Sequence, residues 1–185
     1  MLTRCLAVVW LCILIPMTAA GLSGGPDGLV PHVSFHFLYI PIILLTLWPI
    51  LRLRRTARGA VRVLVTIVAI VYPLAAVGQL GEVVVAIQHG GLHPTTEVFD
   101  DPVHMTFAAI GGLALFATLF LMSAASIVAG IRLMRAADRS GWLALLPGVV
   151  FPLEMVVAVA GFLPSRSMVG TTLSALVVAA GAFLI

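Results

Sequence analysis

The sequence predicts an all-α fold, a polytopic membrane helix bundle with six transmembrane helices and both termini cytoplasmic. Three observations carry this. Of the 185 residues, 62% are hydrophobic and 9% charged, with a mean hydropathy of +1.20, which is more apolar surface than a soluble domain can bury. The apolar residues form six runs near the roughly 20 residues that cross a bilayer core. Nine of the ten arginines, in a chain without lysine, lie at the chain start or in two alternate connections between those runs.

The first span is expected near 5–21, preceded by Arg4. Arg4, a short apolar run and the segment MTAAG also fit a secretory leader, but the spans that follow make a retained helix the expectation. Cys5 and Cys12 are seven residues apart, on one helix face and too far apart along it to bond to each other, and read as buried, inert thiols. A glycine-rich turn, GLSGGPDG, leads to span two near 30–51. Arg52, Arg54, Arg55, Arg58 and Arg62 separate it from span three, near 61–88. The one long polar connection, QHGGLHPTTEVFDDPVH, follows, with Asp101 and Pro102 reading as N-cap and first-turn proline of span four, near 105–131. Arg132, Arg135 and Arg139 precede span five, near 142–163, and span six is expected near 168–185. The six spans form a single transmembrane domain over 1–185.

Orientation follows from the arginines, which favour the cytoplasmic side. Placing Arg4 and the two arginine-rich connections inside leaves Arg166 alone outside. The chain is therefore expected as a multi-pass protein of the cell inner (plasma) membrane, with the lipid bilayer as its main partner and other membrane subunits as further ones. The net charge of +3 and pI near 9.5 are explained by these loops, so nucleic acid is not an expected partner.

With that orientation all five histidines fall in the outer half or beyond it: His32 and His36 in span two, His89 and His93 at and after the end of span three, and His104 entering span four. Glu82 and Glu154 lie within spans. From a rise of about 1.5 Å per residue, Glu82 and His36 are expected about 9 Å below the outer span ends and Glu154 about 13 Å. His32, His36 and Tyr39 share one helix face, as do Gln79, Glu82 and His89. Intramembrane ionisable groups usually face a bundle interior and mark a site, and a carboxylate there needs a cation, a metal or a proton-sharing partner. Prolines 41, 73 and 152 are expected to interrupt spans two, three and five.

These residues point to a small membrane subunit that binds a metal or haem, or relays protons, through an outward-facing histidine and carboxylate cluster. The candidate metal ligands are His32, His36, Glu82, His89, His93, His104 and Glu154. A b-type haem would take one histidine from each of two helices, His36 with His104 or His89, or His32, with Phe35, Phe37 and Phe107 nearby. The alternatives are a structural or assembly subunit of a larger membrane complex without chemistry, and an outward-facing transporter or lipid-acting membrane enzyme. Whether the chain is an enzyme is left open: no HExxH, GxSxG, CxxC, Walker or dinucleotide glycine motif occurs. Small residues at 78, 81, 108, 109, 111, 112, 125, 129 and 130 permit close helix approach.

The segment HFLYIPIILLTLW, residues 36–48, resembles the Tyr-x-Pro-x-x-Leu helix of membrane-embedded input regions in some bacterial and archaeal sensor kinases. It covers 13 of the 185 residues, and no kinase module is present among them, so the resemblance implies no function for the chain.

Overall fold

The structure, a computed structural model, describes residues 1–23, 32–90, 98 and 100–159. Their regular structure is five long helices: α1 (Leu2–Ser23), α2 (His32–Thr56), α3 (Gly59–Gln88), α4 (Pro102–Arg135) and α5 (Gly141–Val159). The expected sixth span, and His93 with it, lie outside the described residues. So do the side chains of His32 and Glu154.

Three segments are long and apolar enough to cross a membrane, His36–Thr56, Gly59–Gln88 and Pro102–Arg135, and Leu2–Pro16 and Gly141–Leu153 are shorter apolar helices. Together they point to an integral membrane protein. The pattern on α3 explains why. Its inward stripe, with Val61, Val65, Val68, Tyr72 and Ala75, is buried, and its outward stripe is apolar too, with Val63, Ile67, Ile70, Leu74 and Val77 exposed. In water the outward stripe of an amphipathic helix is polar; here both faces suit hydrocarbon.

The helices run alternately up and down, each packed on the next, and α1 returns to touch α5 and α4. The alternation is visible in single contacts. The first turn of α1 meets the start of α5 through Thr3 Oγ1–Ser140 Oγ at 3.2 Å. Arg132, late in α4, donates to the Arg58 carbonyl ahead of α3 at 3.0 Å. One end of the bundle therefore collects Arg4, Arg52, Arg54, Arg55, Arg58, Arg62, Arg132, Arg135 and Arg139; the other holds the described histidines.

At the centre, Trp10 is fully buried. Its indole N–H donates to Ser126 Oγ at 2.9 Å, which satisfies the one polar atom of an otherwise apolar side chain. Its ring packs on Phe151 at 6.1 Å between centroids, and Phe151 meets Phe120 edge-on at 5.9 Å. Close helix approach follows where small residues face one another. The backbones of α3 and α4 nearly touch at Gly78 and Gly111, and those of α4 and α5 at Gly130 and Gly141. Two expected contact positions do not take part: Ala109 is exposed and Gly112 faces open space.

The helix ends differ from expectation in a consistent way. Residues 52–56 and 132–135, expected as loop, continue α2 and α4. Arginine is a good helix former and its charge is favourable beside the carbonyl end of a helix, so the arginines sit in the last turns. The prolines were expected to interrupt their spans, yet α2 runs through Pro41 and Pro49, α3 through Pro73, and α5 through Pro147 and Pro152. A membrane helix that loses one backbone bond at proline keeps the rest, because no water competes for them.

Candidate functional site

Three helices meet at the arginine-poor end and each supplies one ionisable side chain. His36 lies four residues into α2, Glu82 six residues before the end of α3, and His104 in the first turn of α4. They are buried for different reasons. Glu82 belongs to the α3 stripe that packs on α4, and one turn earlier Gly78 lets that helix approach closely. At Gly81 the Phe107 ring of α4 occupies the space where any other residue would carry a Cβ. The same tight crossing leaves His104 only 3% exposed and Glu82 6%.

The geometry centres on one carboxylate oxygen. Glu82 Oε2 lies 3.6 Å from His36 Nε2 and 3.8 Å from His104 Nε2. The other oxygen, Oε1, accepts from the Gln79 amide nitrogen at 3.3 Å. Gln79 Oε1 in turn meets His36 Nδ1 at 2.6 Å. A carboxylate oxygen takes the amide as donor, which turns the Gln79 carbonyl toward His36; Nδ1 of the imidazole is then the donor. That choice leaves Nε2 of neutral His36 as a proton acceptor facing Glu82 Oε2. Both imidazole–carboxylate distances are longer than a direct hydrogen bond, by an amount that a small side-chain rotation closes.

A second pair lies nearer the helix ends. His89 Nε2 and Asp101 Oδ2 are 2.8 Å apart, both partly exposed. Asp101 Oδ1 accepts from the Val103 amide at 2.7 Å and from the His104 amide at 3.4 Å, so this carboxylate caps α4 as the sequence predicts. The His89 hydrogen bond, then the Val103 amide, hold the Asp101 carboxyl below the usual carboxylate range. Asp101 therefore links the exposed pair to the helix turn that carries His104.

The structure thus brings together His36, Glu82 and His104 from the predicted set. It places His89 apart from them, with Asp101. Among the described residues no group of three or more His, Cys, Asp or Glu is arranged to hold a metal ion, so the metal reading finds no support in them. The haem arrangement finds none either. A carboxylate lies between the His36 and His104 rings where a flat apolar slot would be needed, and Phe37 is 63% exposed, turned away from the site. Gln79, noted in the sequence only as part of a polar stripe, proves to connect His36 to Glu82. The His89–Asp101 pair escaped sequence reading, because the two are twelve residues apart in sequence and Asp101 reads there as a helix cap.

No protein-family model matches the chain, and neither the curated proteins nor the solved structures compared with it give a match.

Proposed function

We propose that the chain is a six-span integral membrane protein, one transmembrane domain with both termini cytoplasmic, that takes up and relays a proton at Glu82 near its outer face. The arginine-rich end then faces the cytoplasm, in keeping with the preference of short arginine-rich loops for that side, and the plasma membrane is its location. The observation that carries the reading is the placement of one buried carboxylate oxygen within 4 Å of two imidazoles from different helices. Among ionisable side chains, carboxylate and imidazole together exchange protons most readily near neutral pH. The step balances simply: the Glu82 Oε2–H bond breaks as the Nε2–H bond of His36 forms, leaving carboxylate beside imidazolium. The reverse returns the proton. His104 offers the same exchange from the side of His89 and Asp101, which supplies the way in from water.

The test is proton movement in liposomes carrying the full chain and a pH-sensitive dye inside. An imposed pH difference should dissipate faster with the wild-type chain than with Glu82→Gln, which keeps the shape and the Gln79 contact but carries no exchangeable acid. His36→Gln and His104→Gln should each slow the exchange. Equal rates for wild type and Glu82→Gln would refute the relay.

A further inference from the structure

The opposite end of the bundle carries a second site, independent of Glu82. Where the first turns of α1 pass the last turns of α2 there is a cavity of about 450 Å³, lined by Arg4, Cys5, Val8, Trp48, Pro49 and Arg52 among others. Its chemistry is divided. The Cys5, Val8, Trp48 and Pro49 side makes an apolar wall, and Arg4 and Arg52 supply two guanidinium groups. Neither arginine is ion-paired among the described residues. The described carboxylate of this end, Asp138, is turned to the Ser140 amide at 2.9 Å instead.

Trp48 organises the rim. It is 66% exposed, at the level where tryptophan favours the boundary between headgroups and hydrocarbon. The Arg52 guanidinium carbon stands 5.4 Å from the centre of its ring. A guanidinium stacked on an aromatic face is held in place while its N–H edge stays available, and that edge matches two oxygens of a phosphate. About one turn before Trp48 on the same helix, Leu44 and Leu45 of α2 are 51% and 73% exposed, an apolar surface beside the cavity.

We propose that this cavity binds an anionic phospholipid, its phosphate between Arg4 and Arg52 and its acyl chains along the outer face of α2. Charge complementarity selects the headgroup: two cations without an ion pair among the described residues, at a membrane surface, favour an anionic lipid over a zwitterionic one, whose own ammonium opposes them. The apolar wall and the exposed leucines select a lipid over a free phosphate, which would leave that surface uncovered.

The experiment uses the full chain in detergent, titrated with phosphatidylglycerol or phosphatidylcholine, with bound lipid counted by native mass spectrometry. Each basic side chain near an anionic surface contributes about fivefold in binding, so Arg4→Gln with Arg52→Gln should weaken phosphatidylglycerol binding about 25-fold. Arg54→Gln with Arg55→Gln removes the same charge from the same helix end outside the cavity and should leave binding within a few-fold of wild type. Thermal unfolding in the same detergent checks that both double variants fold. If the first does not, Arg52→Lys reads the same contact, since it keeps the charge but loses the planar fork, and a several-fold loss is expected. Equal binding of the two lipids, equal loss in both double variants, or unchanged binding in the Arg4/Arg52 or Arg52→Lys variant would overturn the proposal. Occupancy by inorganic phosphate that blocks lipid at millimolar concentration would overturn the lipid assignment in favour of a free anion.

Discussion

Replacing Gly78 by alanine is the sharpest test of how the site is held. A Cβ at Gly78 would stand 2.5 Å from the Gly111 nitrogen and 2.8 Å from the Phe107 carbonyl oxygen, and closer still to the Gly111 Cα. All three are backbone atoms, so no rotamer change relieves the clash; α3 and α4 must separate by close to an ångström. The reciprocal change is harmless by the same measure. A Cβ at Gly111 would meet the Gly78 Cα at 3.4 Å and the Gln79 amide nitrogen at 3.5 Å, ordinary contacts. Overpacking of this kind costs about 1–3 kcal/mol, and Gly78→Ala should fall in that range while Gly111→Ala stays near wild type. The assay is reversible unfolding in mixed detergent micelles, read by tryptophan fluorescence. Glu82 lies one turn from the clash, so Gly78→Ala should also slow proton exchange in liposomes, and Gly111→Ala should not. Equal stability of the two variants, or Gly111→Ala as the weaker, would refute the close crossing.

Two further predictions concern the connections. Ala137 has φ +56° after α4, where its amide bonds to the Met134 carbonyl at 3.0 Å and the Asp138 amide to the Leu133 carbonyl at 2.9 Å. This is a left-handed helix stop that favours glycine, so Ala137→Gly should stabilise the fold by about 1 kcal/mol in the same unfolding assay; no gain would contradict the turn. The Asp101 carboxyl, held low by His89 and then by the Val103 amide, makes stability pH-dependent. Its contribution is fully present above the unfolded-state value of about 4 and is lost as pH falls through the lower folded value. Asp101→Asn keeps a capping oxygen but removes the titration, so its unfolding midpoint should fall less than that of wild type as pH drops below about 4; parallel curves would rule out the linkage.

The helical character of each described segment was legible in the sequence because hydrocarbon allows few alternatives: a long apolar run must satisfy its own backbone bonds. The arginines marked the bundle ends, but their continuation of α2 and α4 was not legible, since a charged residue after an apolar run reads equally as loop or as last helical turn. The site was half legible. Depth and the i, i+3, i+4 spacings placed His36, Gln79 and Glu82 at one level on facing stripes. Which partner each would meet depended on the rotation of α2, α3 and α4 about their axes. Between α3 and α4 that rotation follows the close crossing at Gly78, Gly81 and Phe107, and spacing within one helix carries no information about it. For this reason His89, on the same stripe as Glu82, could be read as a fellow ligand although its neighbour is Asp101. The cavity of Arg4, Trp48 and Arg52 was hidden likewise: its two arginines served topology in the sequence, and only the pairing of α1 with α2 brings them to one groove.

The central claim is that Glu82 shares its proton with His36 and His104. Infrared difference spectroscopy of the full chain in lipid follows the carbonyl stretch of the protonated Glu82 carboxyl across a pH titration, with Glu82→Gln identifying the band. The account predicts one such band whose titration moves when either His36 or His104 is replaced by glutamine. A band that titrates identically in wild type and both histidine variants would contradict it.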